Sequence, residues 1–239
     1  MITGFILAAG ASKRFKRASE VGKCFTRINK LFLVEYNIIA LFFGGAEHII
    51  VGVNEVDYPL AKELVLKYDN LEIKVCHTKG TAGCLKDLLL TDKHDTGVVL
   101  YGDTVYFSRI SGFLNRVKGA SIGQAVIGVK NSDDLANYMA VVPCADSHYL
   151  PILKPHGLRT GLAYIGLFGF HDDFILDKLN QLSPSLRGEL EMTDLIKLYA
   201  HSDNLNLSSY RGQLIDCNTI DKLLELKRKS KSTLYNPFL

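Results

Sequence analysis

The sequence predicts an α/β protein with three layers, α/β/α, packed around a mixed sheet. Short β-rich runs alternate with helical runs through the first half, the pattern of a largely parallel sheet covered by helices. Beyond Tyr101 the rhythm changes to strands with no long helices between them. Internal repeats, low-complexity tracts and linkers are missing from the sequence, so a single domain over 1–239 is expected.

Thr3–Ala8 reads as a buried strand ending in a Gly/Ser turn. Leu33–Phe43 reads as a helix closed by Gly44-Gly45, and His48–Val53 as the second strand. A helical Tyr58–Tyr68, a strand Leu71–His77 and a short helix Ala82–Leu90 follow. Gly97–Tyr101 is a continuous apolar strand that stops at Gly102-Asp103. Ser121–Lys130, Tyr138–Pro143, His148–Leu153 and Ala163–Phe170 are the strands of the second half, followed by helices around Asp172–Leu182 and Met192–Ala200. Short strands at Asn204–Tyr210 and Gln213–Asp216 precede a last helix, Thr219–Ser230. Its basic run, Lys227-Arg228-Lys229 with Lys231, complements the negative end of the helix dipole rather than marking a binding patch.

Composition excludes several classes. The chain has 239 residues, 47% hydrophobic and 22% charged, enough for a sizeable core without disulfide help. A formal charge of +3 gives no reason to expect nucleic acid or a membrane surface as partner. The five cysteines (Cys24, Cys76, Cys84, Cys144, Cys217) form no CxxC pair, and the seven histidines form no HxH or HExxH group. Reduced thiols in a cytoplasmic protein are therefore expected, not a zinc or disulfide framework. The apolar opening MITGFILAAG lacks the basic flank of a signal peptide, and no run approaches the roughly 20 apolar residues of a membrane span.

The strongest local signal is Leu7-Ala8-Ala9-Gly10-Ala11-Ser12-Lys13-Arg14, directly after the first strand. Ligands of open α/β sheets bind at the carboxyl ends of strands, and small residues let backbone N–H groups approach phosphate oxygens. Arg14 adds a charged fork suited to phosphate, and Lys23 a point charge. The G-x-G-x-x-G fingerprint is absent, since Ser12 and Phe15 stand at the later glycine positions. A P-loop is absent too, because Gly22-Lys23 is followed by Cys24 and Arg17 stands where its first glycine belongs.

Leu7-Ala8-Ala9-Gly10 with Arg14 and Lys23 resembles the signature of the sugar-phosphate nucleotidyltransferases, the pyrophosphorylase-like family. Further segments resemble that family in order along nearly the whole chain. Asn29–Leu41 is similar to the lead into its first long helix, and Lys79-Gly80-Thr81 to its base-holding loop. Gly102-Asp103 resembles its metal-binding aspartate, Lys154-Pro155 its acceptor-side pair, and Arg187–Asp194 (RGELEMTD) its RGELEITD. Asp216-Cys217-Asn218-Thr219 resembles DTGT, whose aspartate is a second metal ligand. The resemblance implies a Rossmann-like nucleotide-diphospho-sugar transferase fold of the glycosyltransferase-A type. It also implies a nucleotide-binding half at about 1–120 and an acceptor half at about 121–239.

It further implies transfer of a nucleoside monophosphate from UTP, dTTP or CTP to a sugar 1-phosphate, with Mg2+ held by Asp103 and Asp216. Magnesium takes carboxylates, waters and phosphate oxygens, and both aspartates are expected to end strands at one sheet edge. Arg14 and Lys23 are the catalytic candidates, steadying the leaving pyrophosphate and the reacting phosphates. Leu7 to Ser12, Lys79, Gly80, Thr81 and Gly102 are the nucleotide-binding candidates; Thr104, Lys154, Glu189 and Glu191 the acceptor-binding ones. If Glu189–Glu191 is extended, only one glutamate is expected to turn inward, and Asp194 is expected to serve the next helix. The chain departs from the family pattern at Gly22, where proline is usual, at Ser12, at Thr104 and at Cys217-Asn218. No β-helix repeat follows Thr219–Leu239, so a bifunctional enzyme is not expected, while a homo-oligomer is compatible with the resemblance.

Two other readings remain open. A cytidylyltransferase acting on a phosphorylated alcohol or phosphonate shares the opening motif, and an aromatic cage around the acceptor would favour it. A non-catalytic regulatory relative would keep the fold without the reaction. A DxD glycosyltransferase is excluded at Asp103-Thr104-Val105.

Overall fold

The computed structural model describes residues 1–10, 22–90, 94, 96–136, 138–144, 149–153, 155 and 157–232. In chain order the first half contains β1 (Thr3–Leu7), a 3-10 turn (Lys23–Phe25), β2 (Arg27–Ile28), β3 (Leu31–Phe32) and α1 (Leu33–Gly44). Then come β4 (His48–Val53), α2 (Tyr58–Val65), β5 (Leu71–Val75), α3 (Thr81–Leu89), β6 (Thr96–Tyr101), β7 (Thr104–Tyr106) and α4 (Ser111–Lys118). The second half adds β8 (Gln124–Ser132), β9 (Met139–Pro143), β10 (Tyr149–Leu153), β11 (Gly161–His171), α5 (Ile175–Asn180) and α6 (Met192–His201). It closes with β12 (Leu205–Ser209), β13 (Leu214–Asp216) and α7 (Ile220–Ser232).

Among the described residues nine strands form one sheet, ordered β10-β9-β11-β6-β1-β4-β5, with β8 on β11 and β12 on β8. β1 runs parallel to β4 and β6, and β4 to β5. β11 is antiparallel to β6, β8 and β9, which makes the sheet mixed.

Alternation along the central strands builds a core on each face, because successive side chains point to opposite sides. Ile6 of β1, with Ile2 just before the strand, joins α1 (Val34, Ile38, Leu41), α2 (Leu64) and α4 (Phe113, Val117) in one cluster. Phe5 and Leu7 point the other way, toward α3 (Leu85, Leu88), α5 (Leu179) and α6 (Leu195, Ile196). The expected three layers are thus present. A third, smaller cluster joins β7 (Val105), β13 (Ile215) and α7 (Leu223, Leu226) to the start of α1. It matters for function because β7 and β13 follow Asp103 and end in Asp216.

Besides the 3-10 turn and the two-residue strands β2 and β3, two elements escaped the sequence reading, α4 and β7. α4 is short, begins with Ser111-Gly112 and presents only Phe113, Leu114 and Val117 to the core. Glycine there weakens the helical signal, and burial of those three residues supplies what propensity lacks. β7 is three residues long and exists by pairing with β13, more than a hundred residues away. Neither has a local pattern to read. Among the described residues no helix is long and apolar enough to cross a membrane.

Candidate active site

Parallel pairing brings the last residues of β1, β4, β5 and β6 (Leu7, Val53, Val75 and Tyr101) to one rim of the sheet. The segments beyond them enclose a cleft of about 690 Å³. Leu7, Ala9 and Gly10 from the opening motif line it, with Lys23 and Asp103 at one side and Lys79, Gly80 and Thr81 at another.

The loop after β5 is held from beneath by α3. The Asp87 carboxylate accepts hydrogen bonds from the backbone N–H groups of His77 and Thr78 (2.7 Å each) and from the Thr78 hydroxyl at 2.6 Å. Gly80 has φ +95°, and a Cβ on it would lie 2.2 Å from the Leu190 carbonyl oxygen. That contact lets the loop join the 187–191 segment: Leu190 N–H donates to the Lys79 carbonyl, and Ala82 N–H to the Leu190 carbonyl, both at 3.0 Å. Thr81 completes the junction by accepting the Met192 N–H on Oγ1 at 3.0 Å, satisfying a donor at the start of α6. Two sequence motifs more than a hundred residues apart are in this way one structural unit.

The charged centre lies across the cleft. Lys23 Nζ donates to Asp103 Oδ2, both side chains being largely shielded from solvent. Burial works against the Lys23 ammonium, but the charge and hydrogen bond of Asp103 outweigh it and leave the lysine more firmly protonated than usual. Asp216 is brought beside them by β13: its backbone pairs with Thr104, and Cys217 N–H donates to the Asp103 carbonyl at 2.8 Å. Burial, and then the neighbouring Asp103 charge, push the Asp216 carboxyl up to about 6. Two carboxylates and one ammonium thus converge at the carboxyl ends of β6 and β13.

Gly22, the departure just before Lys23, has a structural reason. Its N–H donates to Asp57 Oδ1 at 2.8 Å, a bond proline cannot make, and a Cβ there would collide with the Asp57 carboxylate.

Glu189 and Glu191 both line the cleft, and Arg187 pairs with each. The expectation that only one would turn inward is corrected: residues two apart in an extended segment share a face, and Leu190 between them is the one that is buried. Asp194 lies in the first turn of α6 and pairs with Lys197 at 2.7 Å, a place where an acidic side chain favours the helix dipole. Ala8 and Gly102 are buried in the turn beneath the cleft, where Gly102 N–H donates to the Leu7 carbonyl at 3.0 Å. Thr104 and Asp216 face a second, smaller pocket of about 150 Å³ that shares Tyr101 with the main cleft. Ala11, Ser12, Arg14 and Lys154 lie outside the described residues.

Sequence reasoning missed Tyr101 and the contribution of Arg187 as a side chain, although Tyr101 directly precedes Gly102-Asp103 and Arg187 opens RGELEMTD. Among the described residues no three His, Cys, Asp or Glu side chains gather as a metal cluster. Two carboxylates supply only part of a coordination shell. That suits a cation which keeps waters and takes substrate phosphates as its other ligands.

A family model described as nucleotidyl transferase matches residues 3–233. The chain is 30% identical over 213 residues to a bifunctional sugar-1-phosphate nucleotidylyltransferase/acetyltransferase of Sulfurisphaera tokodaii, covering 89% of this chain and 51% of that protein. It therefore spans about half the length of that relative. It is 26% identical over 232 residues to a glucose-1-phosphate thymidylyltransferase of Mycolicibacterium smegmatis, 93% of this chain and 80% of that one. Among solved structures, a Bacillus anthracis protein described as a glucose-1-phosphate thymidylyltransferase superposes with a TM-score of 0.84 at 18% identity, covering 99% of this chain and 98% of that chain. A UDP-glucose pyrophosphorylase complexed with UDP-glucose superposes at 0.82 and 14% identity, covering 97% and 99%. At such identities the structural likeness concerns the fold.

Proposed function

The chain belongs to the nucleotidyl transferase family, and from that premise we propose that it transfers a nucleoside monophosphate from UTP, dTTP or CTP to a sugar 1-phosphate and releases pyrophosphate. The observation that carries this reading is the convergence of Lys23, Asp103 and Asp216, the first two lining the rim cleft and Asp216 the smaller pocket that shares Tyr101 with it. Two anionic reactants must meet there, so charge neutralisation and positioning are the main tasks.

Asp103 and Asp216 are the residues that would hold Mg2+, since their donor chemistry and mutual charge fit a hard divalent cation. Bound there, the ion would neutralise phosphate charge. Lys23, held charged by Asp103, faces the same space and offers its ammonium to the phosphate under attack. The acceptor phosphate is already ionised, so the attack on the α-phosphorus needs no general base. Lys79 to Thr81 would border the nucleotide base, while Glu189 and Glu191 accept hydrogen bonds from sugar hydroxyls. Arg14 and Lys154 are assigned to the departing pyrophosphate and the acceptor phosphate on sequence grounds.

The raised Asp216 carboxyl makes a pH prediction. Below about pH 6 this group holds a proton, and the folded chain keeps it more tightly than an unfolded aspartate of pKa about 3.9. Its linkage therefore favours the folded state as pH falls toward 4, whereas cation binding requires the proton to leave. Mg2+ affinity measured by calorimetry is expected to fall about tenfold per pH unit below 6, with proton release on binding. Affinity unchanged between pH 5 and 7 would remove Asp216 from the site.

Pyrophosphate release across four triphosphates and a small acceptor panel tests the reaction itself. Release that needs both a triphosphate and a sugar 1-phosphate is expected. Release indifferent to the acceptor, or none with well-folded protein, contradicts it.

A further inference from the structure

The 3-10 turn that carries Lys23 into the cleft is fixed by different means on its two sides. After Lys23, the buried Cys24 and Phe25 anchor it in the core, and Leu33 N–H donates to the Thr26 carbonyl at 3.0 Å. Before Lys23 stands Gly22, with φ −58° and ψ 148°. Glycine visits positive and negative φ about equally, so nothing in the residue itself selects that conformation. It is the φ a proline ring would impose, and no ring is there. The Gly22 carbonyl closes the turn by accepting the Phe25 N–H at 2.9 Å, and the Gly22 N–H donates to Asp57 Oδ1 at 2.8 Å.

Asp57 gives something up to make that contact. It stands at the N-cap of α2, where an aspartate ordinarily accepts N–H groups of its own helix, but its side chain makes no such bond. The residue is 2% exposed, and a buried carboxylate is costly unless its oxygens find donors. Oδ1 takes the Gly22 N–H and Oδ2 the Asn54 Nδ2, both at 2.8 Å. Asn54, the first residue after β4, holds Asp57 in turn. Its Oδ1 accepts the Asp57 N–H at 2.9 Å, and its carbonyl accepts the Tyr58 N–H at 3.1 Å. The carboxylate is thereby fixed to the rim of the sheet. A Cβ on Gly22 would land on it: the three atoms nearest that Cβ all belong to the Asp57 carboxylate.

A helix cap forgone, a carboxylate buried and a glycine held at a proline-like φ all converge on the residue before Lys23. We propose that Asp57 is a positioning residue of the reaction: by holding the Gly22 N–H, it fixes where the Lys23 ammonium meets the phosphate under attack. The inference rests on the reaction proposed above and on the part of Lys23 in it. Asp57 does not line the cleft, so it acts through Lys23. The Lys23 side chain is 14% exposed and paired with Asp103, so a turn set free at Gly22 moves the ammonium relative to both the aspartate and the substrate. A misplacement of about 1 Å at a reacting group is enough to slow a reaction about a hundredfold. A proline ring and this hydrogen bond are alternative ways to set one φ, and the space beside Gly22 admits one or the other.

The test compares the unaltered full chain with Asp57→Ala, with Gly22→Pro and with the double variant Gly22→Pro/Asp57→Ala. Each is assayed for kcat and KM in pyrophosphate release, for its melting temperature, and for the rate at which N-hydroxysuccinimide acetate acylates Lys23, read by peptide mass spectrometry. Asp57→Ala is expected to lower kcat about tenfold or more, keep the KM for triphosphate within about threefold, and speed Lys23 acylation about tenfold. Gly22→Pro alone should lose at least as much, because the ring meets the carboxylate. In the double variant the carboxylate is gone and the ring sets φ, so kcat and acylation should return to within about threefold of the unaltered chain. A purely structural Asp57 would lower the melting temperature and leave both kcat and Lys23 acylation of the folded protein unchanged, which overturns the inference. A double variant no better than Asp57→Ala, folded or not, overturns it too. Silence of the unaltered chain with every substrate pair instead overturns the reaction reading, while the Lys23 acylation contrast stands or falls by itself.

Discussion

Asp103→Asn is expected to lower turnover by about two orders of magnitude or more while the protein melts at nearly its normal temperature. The asparagine keeps the shape of the side chain and can still accept from Lys23, but it carries no charge. What disappears is one of the two carboxylates available to a divalent cation and the attraction that keeps Lys23 firmly protonated against the cost of burial. The fold has little reason to notice. The Asp103 contact that ties β7 to β13 uses its backbone carbonyl, to Cys217 N–H at 2.8 Å, and the substitution leaves it intact. Steady-state kinetics beside a thermal melt separate the two effects. Near-normal turnover in a folded variant takes Asp103 out of the mechanism.

Gly80→Ala is expected to be the most damaging single methyl in the cleft. The added carbon would sit 2.2 Å from the Leu190 carbonyl oxygen and 2.6 Å from its nitrogen, and the residue already has φ +95°. Backbone cannot yield as a flexible side chain can, so the Lys79–Thr81 loop must separate from the 187–191 segment. A cost of about 2–4 kcal/mol follows from strain and lost hydrogen bonds together. Because that junction also positions Glu189, Glu191 and the start of α6, the KM for triphosphate should rise at least about tenfold. Gly112→Ala is the matching control. A Cβ there meets nothing within 4 Å, φ is not positive and the residue is helical, so stability should hold or rise by about 0.5–1 kcal/mol. Denaturant unfolding of both variants checks the contrast. Equal stability for the two would mean that the loop junction is not structurally important.

The sequence made the sheet rim legible because its strands carry their own signal. Thr3–Leu7, His48–Val53 and Thr96–Tyr101 are apolar runs bounded by turn residues, and parallel pairing then dictates that their ends share one edge. Asp103 inherits its place from such a strand. Asp216 does not, since β13 has three residues and owes its position to β7 and to α7 packed behind it. The motif resemblance named it; local periodicity could not. The smaller pocket that Thr104 and Asp216 face was illegible for a similar reason. Tyr101, Tyr138 and Tyr164 come from separate strands or their approaches, each looks like an ordinary core residue in its own segment, and a bulge brings them together. Glu189 and Glu191 were misjudged by counting one step along an extended chain where two were needed.

The pairing of Asp103 with Asp216 is tested most directly by Mn2+ binding, followed by electron paramagnetic resonance, in the two single aspartate-to-asparagine variants and the double variant. One Mn2+ displaced by Mg2+ is expected in the unaltered chain, at least about tenfold weaker in either single variant and scarcely weaker again in the double, as for two ligands acting as one unit. Undiminished Mn2+ affinity in the double variant, with the fold intact, would contradict the account.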